Sequence, residues 1–213
     1  MAKIVYSLAL DEDVIELVDR EARKAGMSRS NFVNRALAEA VGYETADKRI
    51  ADVFSYVESL LVGHGNLHFF GASPNMATVT GTLSCRYRPK MKYSVEIYPN
   101  GSDYLGEVKV SSRTGSGYVK NAIEAFYRLW TRLERVYVSE EIPAEISDGR
   151  YRRVLLRPAA ELGSAKIAKA IADYIDAFDN LLNEYFSDLE NGTADPKQIE
   201  YDFRRAFYGK PAI

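Results

Sequence analysis

The first forty-odd residues of this chain constrain it most, because they read as a single short strand and two short helices that cannot cover their own apolar surface. Residues Lys3–Leu10 run KIVYSLAL, a β-branched and apolar stretch. In strand alternation Ile4, Tyr6, Leu8 and Leu10 share one face, and Lys3, Val5, Ser7 and Ala9 share the other. Asp11 is placed to cap a first helix, Glu12 and Asp13 suit its positive end, and Val14, Leu17, Val18, Ala22 and Ala25 recur on one side. Gly26 is the expected left-handed terminator. Ser28 then reads as the N-cap of a second helix, with Phe32, Val33, Ala36, Leu37, Ala40 and Val41 as its apolar stripe and Gly42 at its close. A lone strand has two open edges and almost no core, so the sequence predicts that this unit pairs with a second copy, strand to strand.

Strand, acidic first helix, and Gly26-Met27-Ser28-Arg29-Ser30-Asn31-Phe32-Val33 opening the second helix together resemble the ribbon-helix-helix family of dimeric DNA-binding proteins, over about residues 3–42. The resemblance implies a homodimer on double-stranded DNA, with one strand per subunit forming a two-stranded ribbon whose outward side chains lie in the major groove. Lys3, Val5, Ser7 and Ala9 occupy the positions matching the base-contacting residues of the family. The chain departs from the family pattern there. Val5 and Ala9 offer only apolar contact with thymine methyl groups, and Ser7 and Lys3 supply the donors. Sequence preference is therefore expected to lean on DNA shape and on neighbouring dimers. The start of the second helix, Ser28, Arg29 and Ser30, is expected to hold a DNA phosphate through free backbone amides and the positive helix end. Within residues 1–43, six cations (Lys3, Arg20, Arg23, Lys24, Arg29, Arg35) stand against seven carboxylates (Asp11, Glu12, Asp13, Glu16, Asp19, Glu21, Glu39), a balance of −1. Affinity for DNA follows the number of phosphates neutralised, so binding is expected to be modest per dimer and sensitive to salt.

After a short polar junction at Tyr43–Asp47 the pattern changes, and the chain is read as two domains, 1–43 and 47–213. From Lys48, the residues Ile50, Val53, Phe54, Val57, Leu60 and Leu61 predict an amphipathic helix that stops at Gly63-His64-Gly65. Met76–Tyr87, Lys92–Tyr98 and Tyr104–Ser111 are Thr-, Val- and Tyr-rich runs broken by Arg88-Pro89-Lys90 and by the turn signal Pro99-Asn100-Gly101, which predicts an antiparallel meander, with Leu67–Phe70 as an edge strand. Val119, Ile123, Phe126, Trp130 and Leu133 alternate spacings of four and three, the seam of a packed helix. Val136–Val138 and Tyr151–Leu156 are candidates for further strands, and helices are expected from about Ser164 to Leu189 and from about Pro196 to Phe207. The fold class predicted is α+β: a β-α-α ribbon-helix-helix module followed by an antiparallel meander with flanking helices.

The whole chain has 28 Lys and Arg against 30 Asp and Glu, so any nucleic-acid surface must be local. The densest basic cluster, Arg150, Arg152 and Arg153 with Arg157, reads either as an additional phosphate-binding patch, with Tyr151 available to stack, or as an edge strand whose arginines pair with Glu140, Glu141 and Glu145. Gly115-Ser116-Gly117, between a strand and a helix, reads as a connection or as an anion or small-effector site; it lacks the Lys-Ser/Thr of a P-loop. His64, His68 and Cys85 match no metal spacing, and Phe126-Tyr127-Trp130 reads as core. No catalytic motif is present, isolated carboxylates such as Asp148 and Glu161 carry no information alone, and no cofactor or metal is expected.

The sequence therefore predicts a non-enzymatic, cytoplasmic, nucleoid-associated DNA-binding protein, with neither a leader pattern nor an apolar membrane span. Its expected role is that of a transcriptional regulator, a repressor binding an operator as a dimer or higher oligomer, whose second domain sets oligomer state, binds a protein partner or senses an effector. A plasmid or phage partition protein, a relaxosome accessory protein, and a dimeric scaffold that binds no DNA are the alternatives.

Overall fold

The computed structural model describes residues 5–62, 65–98, 102–158, 162–211 and 213. The chain divides into two compact units, Met1–Arg49 and Ile50–Ile213.

The first unit contains α1 (Glu12–Lys24) and α2 (Arg29–Ala40). Both helices end as the glycines predict. Gly26 adopts φ 64° and Gly42 φ 69°. In each case the next amide reaches back to the carbonyl at the start of the last turn: Met27 N–H donates to Ala22 O at 2.9 Å, and Tyr43 N–H to Ala38 O at 2.8 Å. These bonds satisfy carbonyls that a helix end would otherwise leave open. Ser28 is the N-cap of α2, its Oγ accepting from Asn31 N–H at 3.3 Å. The unit has almost no interior: within α1 and α2 only Ala22 and Ala38 are buried. Leu8, Leu10, Leu17, Leu37 and Val41 are 45–77% exposed.

Helix α3 (Ala46–Leu61) follows, capped by Thr45, whose Oγ1 accepts from Lys48 N–H at 3.2 Å. It buries Ile50, Val53, Phe54, Val57 and Leu61 in the core of the second unit. Gly63 and His64, the expected stop, lie outside the described residues, as does the turn Pro99-Asn100-Gly101.

The second unit is built on one six-stranded antiparallel sheet. Strands β1 (His68–Ala72), β2 (Met76–Thr82), β3 (Lys90–Ile97) and β4 (Tyr104–Arg113) form the expected meander. The chain then runs through α4 (Gly117–Tyr137) and returns as the hairpin β5 (Ala144–Ser147) and β6 (Arg150–Leu156), with β6 beside β4 and β5 at the edge. Its turn is Asp148-Gly149, both at positive φ (50° and 70°), a conformation in which the twist of a two-residue loop matches that of the strands. Gly106 marks a bulge in β4; a Cβ there would sit 2.0 Å from Glu96 O of the neighbouring strand. Val136–Val138, read as a possible strand, is instead the C-terminal end of α4 and its cap. Val138 N–H donates to Glu134 O at 2.8 Å, and burial of Leu133 and Glu134 overrides the β preference of the valines. Helices α5 (Ser164–Asn191) and α6 (Pro196–Phe207) complete the unit. Among the described residues no helix is long and apolar enough to cross a membrane.

Alternation in the strands gives the sheet one apolar and one polar face. Ala77, Val79, Met91, Tyr93, Val95, Val108, Val110 and Tyr151 form one core with α4 and α5. Trp130 lies at its centre, 4.6 Å from the Phe178 ring and donating from Nε1 to Tyr174 OH at 3.0 Å. Most polar groups within this core are paired, whereas Tyr127 OH is buried with no hydrogen-bond partner among the described residues. Tyr93 OH donates to Asp179 at 2.6 Å, and Arg153 Nε lies 2.8 Å from Glu134 Oε1 with both side chains at 2% exposure or less. Tyr151 OH donates to Glu134 Oε2 at 2.5 Å, and the Arg153 guanidinium stands 4.9 Å over the Tyr174 ring. Burial pushes the Glu134 carboxyl up from its ordinary range, while Arg153 and Tyr151 pull it down.

Candidate nucleic-acid interface

The segment expected to form the ribbon is only partly described. Lys3 lies outside the described residues, and residues 5–10, including Val5, Ser7 and Ala9, are exposed and form no strand. Strand hydrogen bonds need a second strand, and the unit offers none among its described residues.

At the start of α2, Ser28 is committed as a cap. The first helical hydrogen bond runs from Phe32 N–H to Ser28 O at 3.0 Å, and Asn31 N–H goes to the Ser28 hydroxyl. The amides of Arg29 and Ser30 are thus the donors without an intrahelical acceptor, the arrangement that receives a phosphate oxygen. Ser30 is exposed. Arg29 is not a free cation: its Nε donates to Asp19 Oδ1 at 2.5 Å and its Nη2 to Asp19 Oδ2, a two-pronged pair between α1 and α2. These bonds hold the Asp19 carboxyl below its usual range and raise Arg29 further. A phosphate at this helix end would meet a guanidinium already half neutralised. The remaining cations of α1 are similarly occupied: Lys24 and Arg20 pair with Glu21, and Arg23 donates to the Asp19 carbonyl at 3.1 Å. Arg35 lies over the Phe32 ring at 5.3 Å.

The arginines of β6 do not form one patch. Arg153 points into the core against Glu134 and is removed from any surface. Arg157 ties the strand end down, donating to Ser102 O and Tyr104 O at 3.2 Å each. Arg152 pairs with Glu107, its Nε 2.6 Å from Oε2. Arg150 is exposed and has no ion-pair partner among the described residues. Alternation explains the split: Arg150 and Arg152 share one face, Arg153 takes the other, and the sequence run hides this because all are adjacent.

The Gly115-Ser116-Gly117 connection resolves into a cap, with Ser116 Oγ accepting from Val119 N–H at 3.4 Å and Thr114 Oγ1 accepting from Ser116 N–H at 3.2 Å. Among the described residues no cluster of His, Cys, Asp and Glu is arranged to hold a metal; Cys85 is a buried free thiol, and His64 lies outside the described residues. Phe126, Tyr127 and Trp130 are fully buried in the core.

The two paired helices are each closed by a left-handed glycine and leave Leu17, Leu37 and Val41 exposed. Residues 7–44 match the family described as ribbon-helix-helix protein, copG family. The match covers the N-terminal helix pair, and the second unit lies beyond it. Proteins of this family are generally DNA-binding transcriptional regulators, bind DNA as dimers and are not enzymes. No curated protein and no solved structure matches the chain.

Proposed function

We propose that this protein is a dimeric, sequence-specific duplex-DNA-binding regulator that represses transcription from an operator, with its two units forming domains at about 1–43 and 47–213. The observation that carries the reading is the uncovered apolar surface of the matched module, Leu8, Leu10, Leu17, Leu37 and Val41, set against an interior of two alanines. Burying surface of this kind against a second copy is favourable by about 25 cal/mol per Å². Pairing of the segments around residues 3–10 from two chains completes a ribbon and satisfies its backbone. Lys3, Val5, Ser7 and Ala9 then face the bases, and the helix starts at Ser28, Arg29 and Ser30 grip flanking phosphates. The Arg29 and Ser30 amides supply the contact, and the Arg29 guanidinium, paired with Asp19, adds little charge to it.

Selection of bound sequences from a randomised duplex library tests the reading. A recovered inverted repeat whose half-site preference changes with Ser7→Ala supports it. Recovery of no enriched sequence removes operator recognition, and failure of the full chain to retain any duplex leaves a dimeric scaffold.

A further inference from the structure

The polar face of the sheet segregates its charge. Cross-strand register places Thr82, Lys90 and Arg113 in one row, and Thr80, Lys92, Ser111 and Arg150 in the next. Lys90, Lys92, Arg113 and Arg150 are all exposed, and none has an ion-pair partner among the described residues. Lys90 and Arg113 are direct cross-strand neighbours, a like-charge placement that is unfavourable in the absence of an anion. With strands roughly 4.8 Å apart and alternate residues roughly 6.8 Å apart, the four cations fall within about 12 Å of one another. Their two rows contain no carboxylate. Further along the same face the acids do appear, and there they are matched: Glu107 takes Lys109 and Arg152, and Glu96 lies 3.9 Å from Lys109. One end of the face is neutralised from within, and the other is not.

We propose that this uncompensated end, Lys90, Lys92, Arg113 and Arg150 with the hydroxyls of Thr80, Thr82 and Ser111, is a second docking surface for the phosphate backbone of duplex DNA. The inference rests on the reading of the N-terminal module as DNA-binding. That module has a balance of −1, and most of its cations are tied to its own carboxylates or aromatic ring, so the phosphate neutralisation that supports affinity must come from elsewhere in the chain. Cations interleaved with hydroxyls are the groups that grip phosphates without reading sequence. Residues facing outward on β2, β3, β4 and β6 across these rows and the next two include no aromatic side chain, so the four cations meet a ligand through charge and hydroxyls; the exposed Tyr87 lines the hollow beside Lys90 and Arg113, which makes comparison with a single strand part of the test.

The test uses the full chain, a fluorescent duplex of scrambled sequence and a salt series. The variant K90Q/K92Q/R113Q/R150Q is compared with K120Q/R132Q/R135Q/K166Q, which removes the same charge from exposed positions on α4 and α5, and the buried Trp130 emission verifies that each is folded. The first variant is expected to lower the slope of log affinity against log salt by roughly three to four, about 0.9 for each phosphate that is no longer neutralised, with the second changing it by less than about one. Equal slopes for wild type and the first variant overturn the sheet surface and leave the ribbon reading intact. Equal losses in both variants, or preference for a single strand or for phosphatidylserine vesicles over the duplex, also overturn it. If Arg29→Glu leaves duplex affinity unchanged and Ser7→Ala leaves the selected half-site unchanged while the first variant abolishes binding, the ribbon reading falls and the sheet surface stands. A wild-type chain that binds no duplex at low salt sinks both.

Discussion

Replacing Arg153 by methionine should destabilise the second unit by about 3–4 kcal/mol at pH 7, and the loss should shrink on acidification. Arg153 and Glu134 are both out of water, and without the guanidinium Glu134 keeps Tyr151 OH as its hydrogen-bond donor. A buried carboxylate that loses its counter-charge takes up a proton instead. For a group with an ordinary value of 4.5, neutralisation at pH 7 requires about 1.36 kcal/mol for each of the intervening units, or about 3.4 kcal/mol, in line with the range of about 3–5 kcal/mol for breaking buried pairs. Burial already holds the Glu134 carboxyl above its ordinary value in the intact pair, and loss of the Arg153 charge raises it further, so the protonated form is stabilising below about 4.5 and that contribution is lost as pH rises through the folded value, which lies higher in the variant. The gap between wild type and variant should therefore narrow as pH falls from 7, by at most about 1.4 kcal/mol per pH unit, and level off once pH reaches the wild-type Glu134 value, itself raised by burial. At neutral pH it corresponds to a fall in Tm of about 6–16 °C for a unit of this size. The only tryptophan, Trp130, lies in the same core, so its emission during urea unfolding reports this unit alone. The pair variant Glu134→Gln/Arg153→Met should recover most of the loss, since no charge is left buried. A loss below about 1 kcal/mol at pH 7, or one independent of pH, would refute the reasoning.

Three further outcomes are expected. Gly106→Ala forces a Cβ against the Glu96 carbonyl across the bulge, where only backbone could yield, and should leave little protein with native Trp130 emission. Asp19→Asn releases Arg29 at the start of α2 and should tighten binding to every duplex severalfold at low salt with unchanged preference, read by anisotropy on operator and scrambled DNA. Burial opposes ionisation of Glu107, but hydrogen bonds from Lys109, Tyr98 and Arg152 outweigh it and depress its titration. Its stabilisation is therefore present above about 4.5 and lost as pH falls through the lower folded value. Glu107→Gln should flatten that acid limb in urea unfolding and, by freeing Lys109 and Arg152, raise the salt slope of DNA binding by about one.

Features set by short-range chemistry were legible in the sequence. Gly26, Gly42 and Ser28 act where they stand because a helix end is decided within a turn. The α4 seam and the meander strands follow from periodicity that matches what they bury. Long-range arrangement was not legible. Nothing in the spacing of Asp19 and Arg29, ten residues apart on two helices, announces that one neutralises the other. The adjacent arginines of β6 looked like one patch because a run of like residues conceals the two faces of a strand; applying alternation would have separated Arg153 from Arg150 and Arg152. The same alternation joins Lys90 to Lys92, but aligning them with Arg113 and Arg150 requires the register of three strands. Asp148-Gly149 was a readable hairpin signal that passed as an isolated carboxylate. The N-terminal strand belongs to a different category, since its hydrogen-bond partner is expected to come from a second chain.

Sedimentation velocity of the full chain, alone and with a duplex at low and moderate salt, tests the proposed dimeric DNA-binding function most directly. Dimers at micromolar concentration that bind duplex as two chains per site, more weakly as salt rises, are the predicted result. Monomers that remain monomeric on DNA, or dimers that leave the duplex unbound at low salt, would contradict it.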